Sequence, residues 1–149
     1  MKRSPLRKKP YTLRKIGKSD SARTKARIQK LLTELVRLRD GGCIMRHYPA
    51  TGQCSGFTAA DHIISRQISA TYADSRNVIA LCQRHHIYWK PTNPTLYARF
   101  VEQHIGKKTY SYLFLAQQNS PRYRYTEADW LKAELMLHVE IQALQTNAA

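Results

Sequence analysis

AADHIISRQISATYADSRNVIALCQRHHIYWK, residues 59–90, contains two apolar runs joined by a polar link. Phe57 to Ile64 and Asn77 to Leu81 are rich in apolar, β-compatible residues, and the segment between them is polar enough to connect two antiparallel strands. Cys82 to Lys90 lacks Gly and Pro and can be helical until Pro91, so the stretch predicts a β-β-α unit. Four polar groups stand in it: Asp61, His62, Asn77 and His86. Adjacent strand residues point to opposite faces, so Asp61 and His62 can serve one site only at a strand end or where the hairpin curls. The helix after the second strand can bring His86 back to the same place.

These residue types suit phosphodiester cleavage. That reaction needs an activated water, neutralisation of charge at phosphorus and stabilisation of the departing 3′ oxygen. A neutral imidazole does the first, and a divalent cation does the other two as a Lewis acid. His62 is the candidate general base. Asp61 is a hard oxygen donor and His86 an intermediate nitrogen donor, a pair that leaves metal positions open for water and phosphate and accepts magnesium, manganese or nickel. Asn77, which donates and accepts, is suited to pinning the interstrand loop and so orienting His62.

Upstream, residues 43–56 carry Pro49, Gly52 and Gly56 and read as an irregular loop. Before it, Ile28, Leu31, Leu32, Leu35 and Leu38 repeat at helical spacing, with Ser19 or Ser21 to cap the start and Gly41-Gly42 to stop it. The opposite face carries Arg23, Lys25, Arg27 and Lys30. Downstream, Asn93-Pro94 forms a helix start, and Gly106 closes that helix after Leu96, Phe100, Val101 and Ile105. Tyr110 to Ala116 predicts a short helix, Asn119 to Tyr125 a turn, and Thr126 the cap of a last long helix. Its Trp130, Leu131, Leu135, Leu137, Ile141 and Leu144 can cover the core or pair with a second subunit. The expected division is a basic arm over 1–18, an amphipathic helix over 19–42, a core over 43–106 and C-terminal helices over 107–149.

Charge points to the partner. The formal net charge is +15 over 149 residues, and twelve of the 25 Lys and Arg fall in the first thirty residues against Asp20 alone. A proline-broken arm with Lys2, Arg3, Arg7, Lys8, Lys9, Arg14 and Lys15 and no apolar face suits DNA phosphates rather than a membrane surface, and reads as disordered in free solution. Arg66 and Lys90 flank the predicted site and are candidates for the scissile phosphate. No run is apolar enough for a membrane span or a secretory signal, so the expected location is the host cytosol, with reduced thiols.

Asp61-His62-Ile63, Asn77 and Leu81-Cys82-Gln83-Arg84-His85-His86 resemble the HNH, or ββα-metal, endonucleases, whose usual pattern is Asp-His-Ile, an Asn some fifteen residues later, then Leu-Cys-x-x-Cys-His. The likeness covers roughly residues 43–106 and includes a downstream Asn-Pro-x-x-x-x-x-x-Phe segment similar to phage-encoded members. It implies an α+β fold with a ββα-metal core, Asp61 and His86 as metal ligands, His62 as base and Asn77 as the structural asparagine. The basic start Lys-Arg-Ser-Pro-Leu-Arg-Lys-Lys and the Ile-Ser-Arg after the catalytic pair look like lambdoid phage recombination nucleases of the NinG (Rap) type. Other phage DNA-processing proteins are then natural partners.

Many such proteins carry two Cys-x-x-Cys knuckles around a structural zinc, and this chain departs from them. Arg46 stands where the first knuckle has its second cysteine, and the second knuckle reads Cys82-x-x-His85, an exchange zinc accepts. Cys43, Cys82, His85 and either Cys54 or His47 make a tetrahedral set. Cys54 is favoured, because every cysteine is then a ligand. The expectation is a metal-dependent DNA endonuclease leaving 5′-phosphate and 3′-hydroxyl ends, with a non-catalytic zinc-stabilised nucleic-acid-binding module as the alternative.

Overall fold

A computed structural model describes residues 20–119 and 123–147. The basic arm, Ser19 and Pro121 lie outside them. The chain is α+β, a two-stranded antiparallel sheet set among helices. β1 (Thr58–His62) pairs with β2 (Val78–Cys82) so that Asp61 faces Ile79 and His62 faces Val78. The first strand is shorter than its apolar run because Ile63 and Ile64 turn out of the ladder to meet Asn77.

All five residues of β2 are buried, which is why that segment reads as a continuous apolar run. Strand periodicity divides the first four between two cores. Val78 and Ala80 join Ile28, Leu32, Val36, Leu137 and Ile141 on one side. Ile79 and Leu81 join Ile44, Met45, Tyr97 and Val101 on the other. The same alternation carries into β1, so Ala60 belongs to the first core while Asp61 faces the second.

The first core is covered by α1 (Asp20–Asp40) and α5 (Glu127–Asn147). Along α1 the buried row is Ile28, Leu31, Leu32, Leu35 and Val36, while Leu38 is exposed at 40%. Gly41, at φ +62°, ends the helix, and the Arg46 guanidinium donates to the carbonyls of Gly41 (2.7 Å) and Asp40 (3.2 Å), satisfying groups the helix end would leave unpaired. The sheet is fastened to this end: Asp40 accepts the Ala80 amide at 2.8 Å and Arg39 donates to Val78 O at 2.7 Å. Helix α5 opens with a capping box, Thr126 Oγ1 accepting the Asp129 amide and Asp129 Oδ2 accepting the Thr126 amide. It divides its apolar residues. Trp130, Leu137, Ile141 and Leu144 pack on the core, whereas Leu131, Leu135, Met136 and Val139 are exposed.

The second core lies under the loop after α1, which contains two 3-10 turns, Ile44–His47 and Pro49–Thr51. After β2 comes a π-helical turn, Arg84–Trp89, that runs into α2 (Lys90–Thr92). The helical stretch therefore passes Pro91, whose missing N–H withholds a donor from the preceding turn, and it ends one residue later at Thr92. Helix α3 (Pro94–Ile105) starts at Asn93, but the Asn93 side chain does not cap it. Its Nδ2 turns back to Trp89 O and Thr92 Oγ1 instead. Leu96 is exposed, and Tyr97 takes the buried position beside Val101. Helix α4 (Lys107–Gln118) is longer than the tyrosine-rich segment alone predicts. Among the described residues no helix is long and apolar enough to cross a membrane.

Candidate functional site

Asp61 stands at the last turnout of β1, nearly enclosed at 2% exposure. A bare buried carboxylate would be costly, and four contacts offset that cost. Lys90 Nζ donates to both oxygens at 2.8 and 2.7 Å, the Tyr97 hydroxyl donates to Oδ2 at 2.6 Å, and His86 Nε2 lies 3.2 Å from Oδ1. The wide π-helical turn presents His86 and Lys90 to the same carboxylate. Burial and the Asp61 charge hold the Tyr97 phenol well above its usual range, so it stays a donor. Asp61 and His86 thus form an oxygen and nitrogen pair of the kind that holds a divalent cation, and Lys90 places a positive charge on the same oxygens.

His62, the next residue, points to the other side, as strand alternation requires. Its ring lies against Tyr72, centroids 5.6 Å apart, and its Nε2 is 2.9 Å from Tyr72 O. A carbonyl can only accept, so Nε2 carries the proton and Nδ1 keeps its lone pair. Among the described residues Gln29 Oε1 is the buried side-chain polar atom left without a partner. Nδ1 of His62 has no hydrogen-bond partner among the described residues. Burial pushes the His62 pKa below its ordinary value, the Tyr72 carbonyl opposes this, and Arg66 adds to the lowering. A neutral imidazole with one nitrogen anchored and the other unpaired can take a proton.

Asn77 is fully buried and uses its whole amide. Oδ1 accepts the Ile64 amide at 2.7 Å, and Nδ2 donates to Ile64 O at 3.1 Å and Thr71 O at 2.9 Å. These bonds close the interstrand loop upon itself and deliver the Tyr72 carbonyl, one residue beyond Thr71, to His62.

On the far side of the π-helical turn, Cys43, Cys54, Cys82 and His85 gather with their ligand atoms within 4.8 Å of one another. His85 Nδ1 lies 3.1 Å from Cys82 Sγ, 3.5 Å from Cys43 Sγ and 3.7 Å from Cys54 Sγ. His85 Nε2 faces Thr51 O at 3.2 Å, which fixes the tautomer that aims the Nδ1 lone pair at the sulfurs. Burial pushes the Cys43 thiol up to about 12. For Cys82 burial acts in the same direction, but the amides of His85 and Ser55 overcome it and bring the thiol down to about 7. Three sulfurs and one directed imidazole nitrogen fit a structural metal such as zinc. His47 is not part of this group. It is exposed and takes a hydrogen bond from Arg46 Nε at 3.3 Å, because the 3-10 turn over Ile44–His47 buries Ile44 and Met45 and turns His47 outward.

The remaining predicted residues are placed differently from one another. Lys90 is engaged with Asp61, Arg66 is exposed beside His62, and Lys2 to Lys15 lie outside the described residues. Trp89 packs between His85 and Phe100. Sequence reasoning missed Tyr97, the Tyr72 carbonyl and the Thr51 carbonyl. For Tyr97 a signal existed, a hydroxyl set in the apolar stripe of α3, since a buried tyrosine hydroxyl needs a partner. The two carbonyls carry none. No family model, curated protein or solved structure matches this chain.

Proposed function

We propose that this chain is a metal-dependent DNA endonuclease of the HNH type. The observation that carries the reading is the state of His62: Nε2 anchored on Tyr72 O, Nδ1 unpaired among the described residues, and burial lowering the pKa of the ring, at the end of β1, where His62 and the oppositely pointing Asp61 can still border one phosphate. In this reading His62 Nδ1 takes a proton from water and the water attacks phosphorus, leaving 5′-phosphate and 3′-hydroxyl ends. A divalent cation on Asp61 and His86, whether magnesium, manganese or nickel, would supply Lewis-acid stabilisation of the phosphorane and the departing oxygen. Tyr97 orients the Asp61 carboxylate, and Asn77 holds the loop that orients His62. The second ion, zinc on Cys43, Cys54, Cys82 and His85, is structural. One site cuts one strand, so a double-strand break calls for two chains. The exposed face of α5, Leu131, Leu135 and Val139, is the surface assigned to that pairing, and a strictly monomeric protein in sedimentation at tens of micromolar would remove this part. Action on phage or mobile-element DNA in the host cytosol, beside other phage DNA-processing proteins, belongs to the same proposal.

A second reading is favoured by one contact. Lys90 Nζ already neutralises both Asp61 oxygens, as expected of a zinc-stabilised nucleic-acid-binding module that does no chemistry. Nicking of supercoiled plasmid separates the two. Wild type should nick with magnesium or manganese, and His62→Ala should bind DNA equally well and not nick. Binding without nicking under every divalent cation gives the second reading.

A further inference from the structure

Beside His62, on the face of the hairpin away from Asp61, lies a cleft of about 310 Å³ whose lining includes Lys25, Arg66, Arg124, Ser69, Tyr72 and Trp130. Its three cations come from three separate segments: α1, the loop after β1, and the strand of coil before α5. Among the described residues no carboxylate lines it. Some cations of the fold are neutralised locally, Arg27 by Glu134, Arg39 by Asp40 and Arg76 by Asp74. Among the described residues Lys25, Arg66 and Arg124 have no such partner, and all three are exposed. Like charges brought together without a counter-ion repel one another, so the cleft is poised for an anion.

Its position says which anion. Tyr72 is the shared wall: its carbonyl holds His62 Nε2, its ring lies 5.6 Å from the His62 ring, and Lys25 Nζ stands 5.8 Å from its centroid. A strand advances about 3.4 Å per phosphate along a duplex axis. One ring's width therefore separates the cleft from the attacked phosphate by roughly one to two nucleotides. We propose that Lys25, Arg66 and Arg124 form a subsite for a non-scissile phosphate of the DNA strand that His62 attacks. The inference rests on the endonuclease reading and adds to it the path of the strand, from Asp61 past Tyr72 toward the start of α1. Tyr72 and Trp130 pack edge to face at 5.6 Å, and Trp130 stacks on Tyr125 at 4.2 Å. The rings are thus occupied with one another and build the floor, leaving the cations to do the binding.

The test is the affinity of full-length Lys25→Ala/Arg124→Ala for a labelled duplex, measured by anisotropy over a salt series without divalent cation. Both residues are exposed and outside the catalytic group. Each phosphate contact contributes about 0.9 to the slope of log affinity against log salt. The subsite holds one phosphate, so the double variant should lose about 0.9 from that slope and weaken roughly tenfold near 0.1 M salt, with unchanged melting temperature. Lys25→Arg/Arg124→Lys should keep both slope and affinity. A slope within 0.5 of wild type (about half of one contact), or equal losses in the charge-conserving variant, overturns the subsite. Plasmid nicking is scored separately: nicking with an unchanged slope removes the subsite and leaves the endonuclease, whereas absent nicking with a reduced slope retains the phosphate site and removes the endonuclease reading.

Discussion

Lys90→Met should make the protein less stable without divalent cation and a tighter binder of it. Lys90 Nζ sits 2.8 and 2.7 Å from the two oxygens of Asp61, in a pair whose side chains are 26% and 3% exposed. Removing one partner of a buried ion pair costs about 3–5 kcal/mol. The lower end applies here, because Tyr97 and His86 still reach the carboxylate. A loss of about 3 kcal/mol corresponds to a melting temperature roughly 10 °C lower for a chain of this size. The same ammonium competes with any cation for both oxygens. Charge-assisted bonds are worth about 1.5–3 kcal/mol, so its removal should tighten manganese binding by about 10- to 100-fold. Saturating manganese should then recover most of the lost stability, about 2.7 kcal/mol at a hundred times Kd. Calorimetric titration of manganese into both proteins, with thermal melts on each side, measures these quantities together. Equal or weaker manganese binding by Lys90→Met would refute the competition, and with it the placement of a cation on Asp61.

Asn77→Ala removes three buried hydrogen bonds and strands the Ile64 amide and two carbonyls; a loss of about 3 kcal/mol is expected from thermal melts, and a change under 1 kcal/mol would mean the loop does not depend on this side chain. Purified protein should carry one zinc per chain by elemental analysis, lost in Cys82→Ser and retained in His47→Ala; the reverse pattern would exclude the four-residue cluster. Nicking should depend on neutral His62, whose pKa burial and Arg66 depress. Activity is then full at neutral pH and falls as pH drops through a value below the ordinary histidine pKa of about 6.5. A midpoint above that value contradicts the assignment.

The parts of the fold written in short-range pattern were the legible ones. The apolar run of β2 and the helical row Ile28, Leu32, Leu35 are each visible within a few residues, and the cap at Thr126 likewise. The Cys/His group could be found because soft ligands are rare in this chain, yet the choice between Cys54 and His47 needed the 3-10 turn that sends His47 outward. What stayed hidden depends on contacts across the fold. Lys90 and Asp61 are 29 residues apart, Tyr97 and Asp61 are 36 apart, and neither pairing leaves a periodic trace. Asn93 shows the limit of local rules: the right residue before a proline, with its side chain drawn backward by Trp89 and Thr92.

His85 and His86 are joined by one peptide bond and face different centres, the first fully buried among sulfurs, the second at the Asp61 carboxylate. The two centres are mechanically in series. Withdrawing an ion from the cysteines releases His85, and the backbone of the π-helical turn passes that freedom to His86 and Lys90. In the proposed endonuclease, loss of activity on chelation would therefore be a compound signal, made of a missing cofactor and a loosened frame. Adding back magnesium would restore only the first, so on this proposal the sequence in which ions are returned becomes a readout of which centre failed.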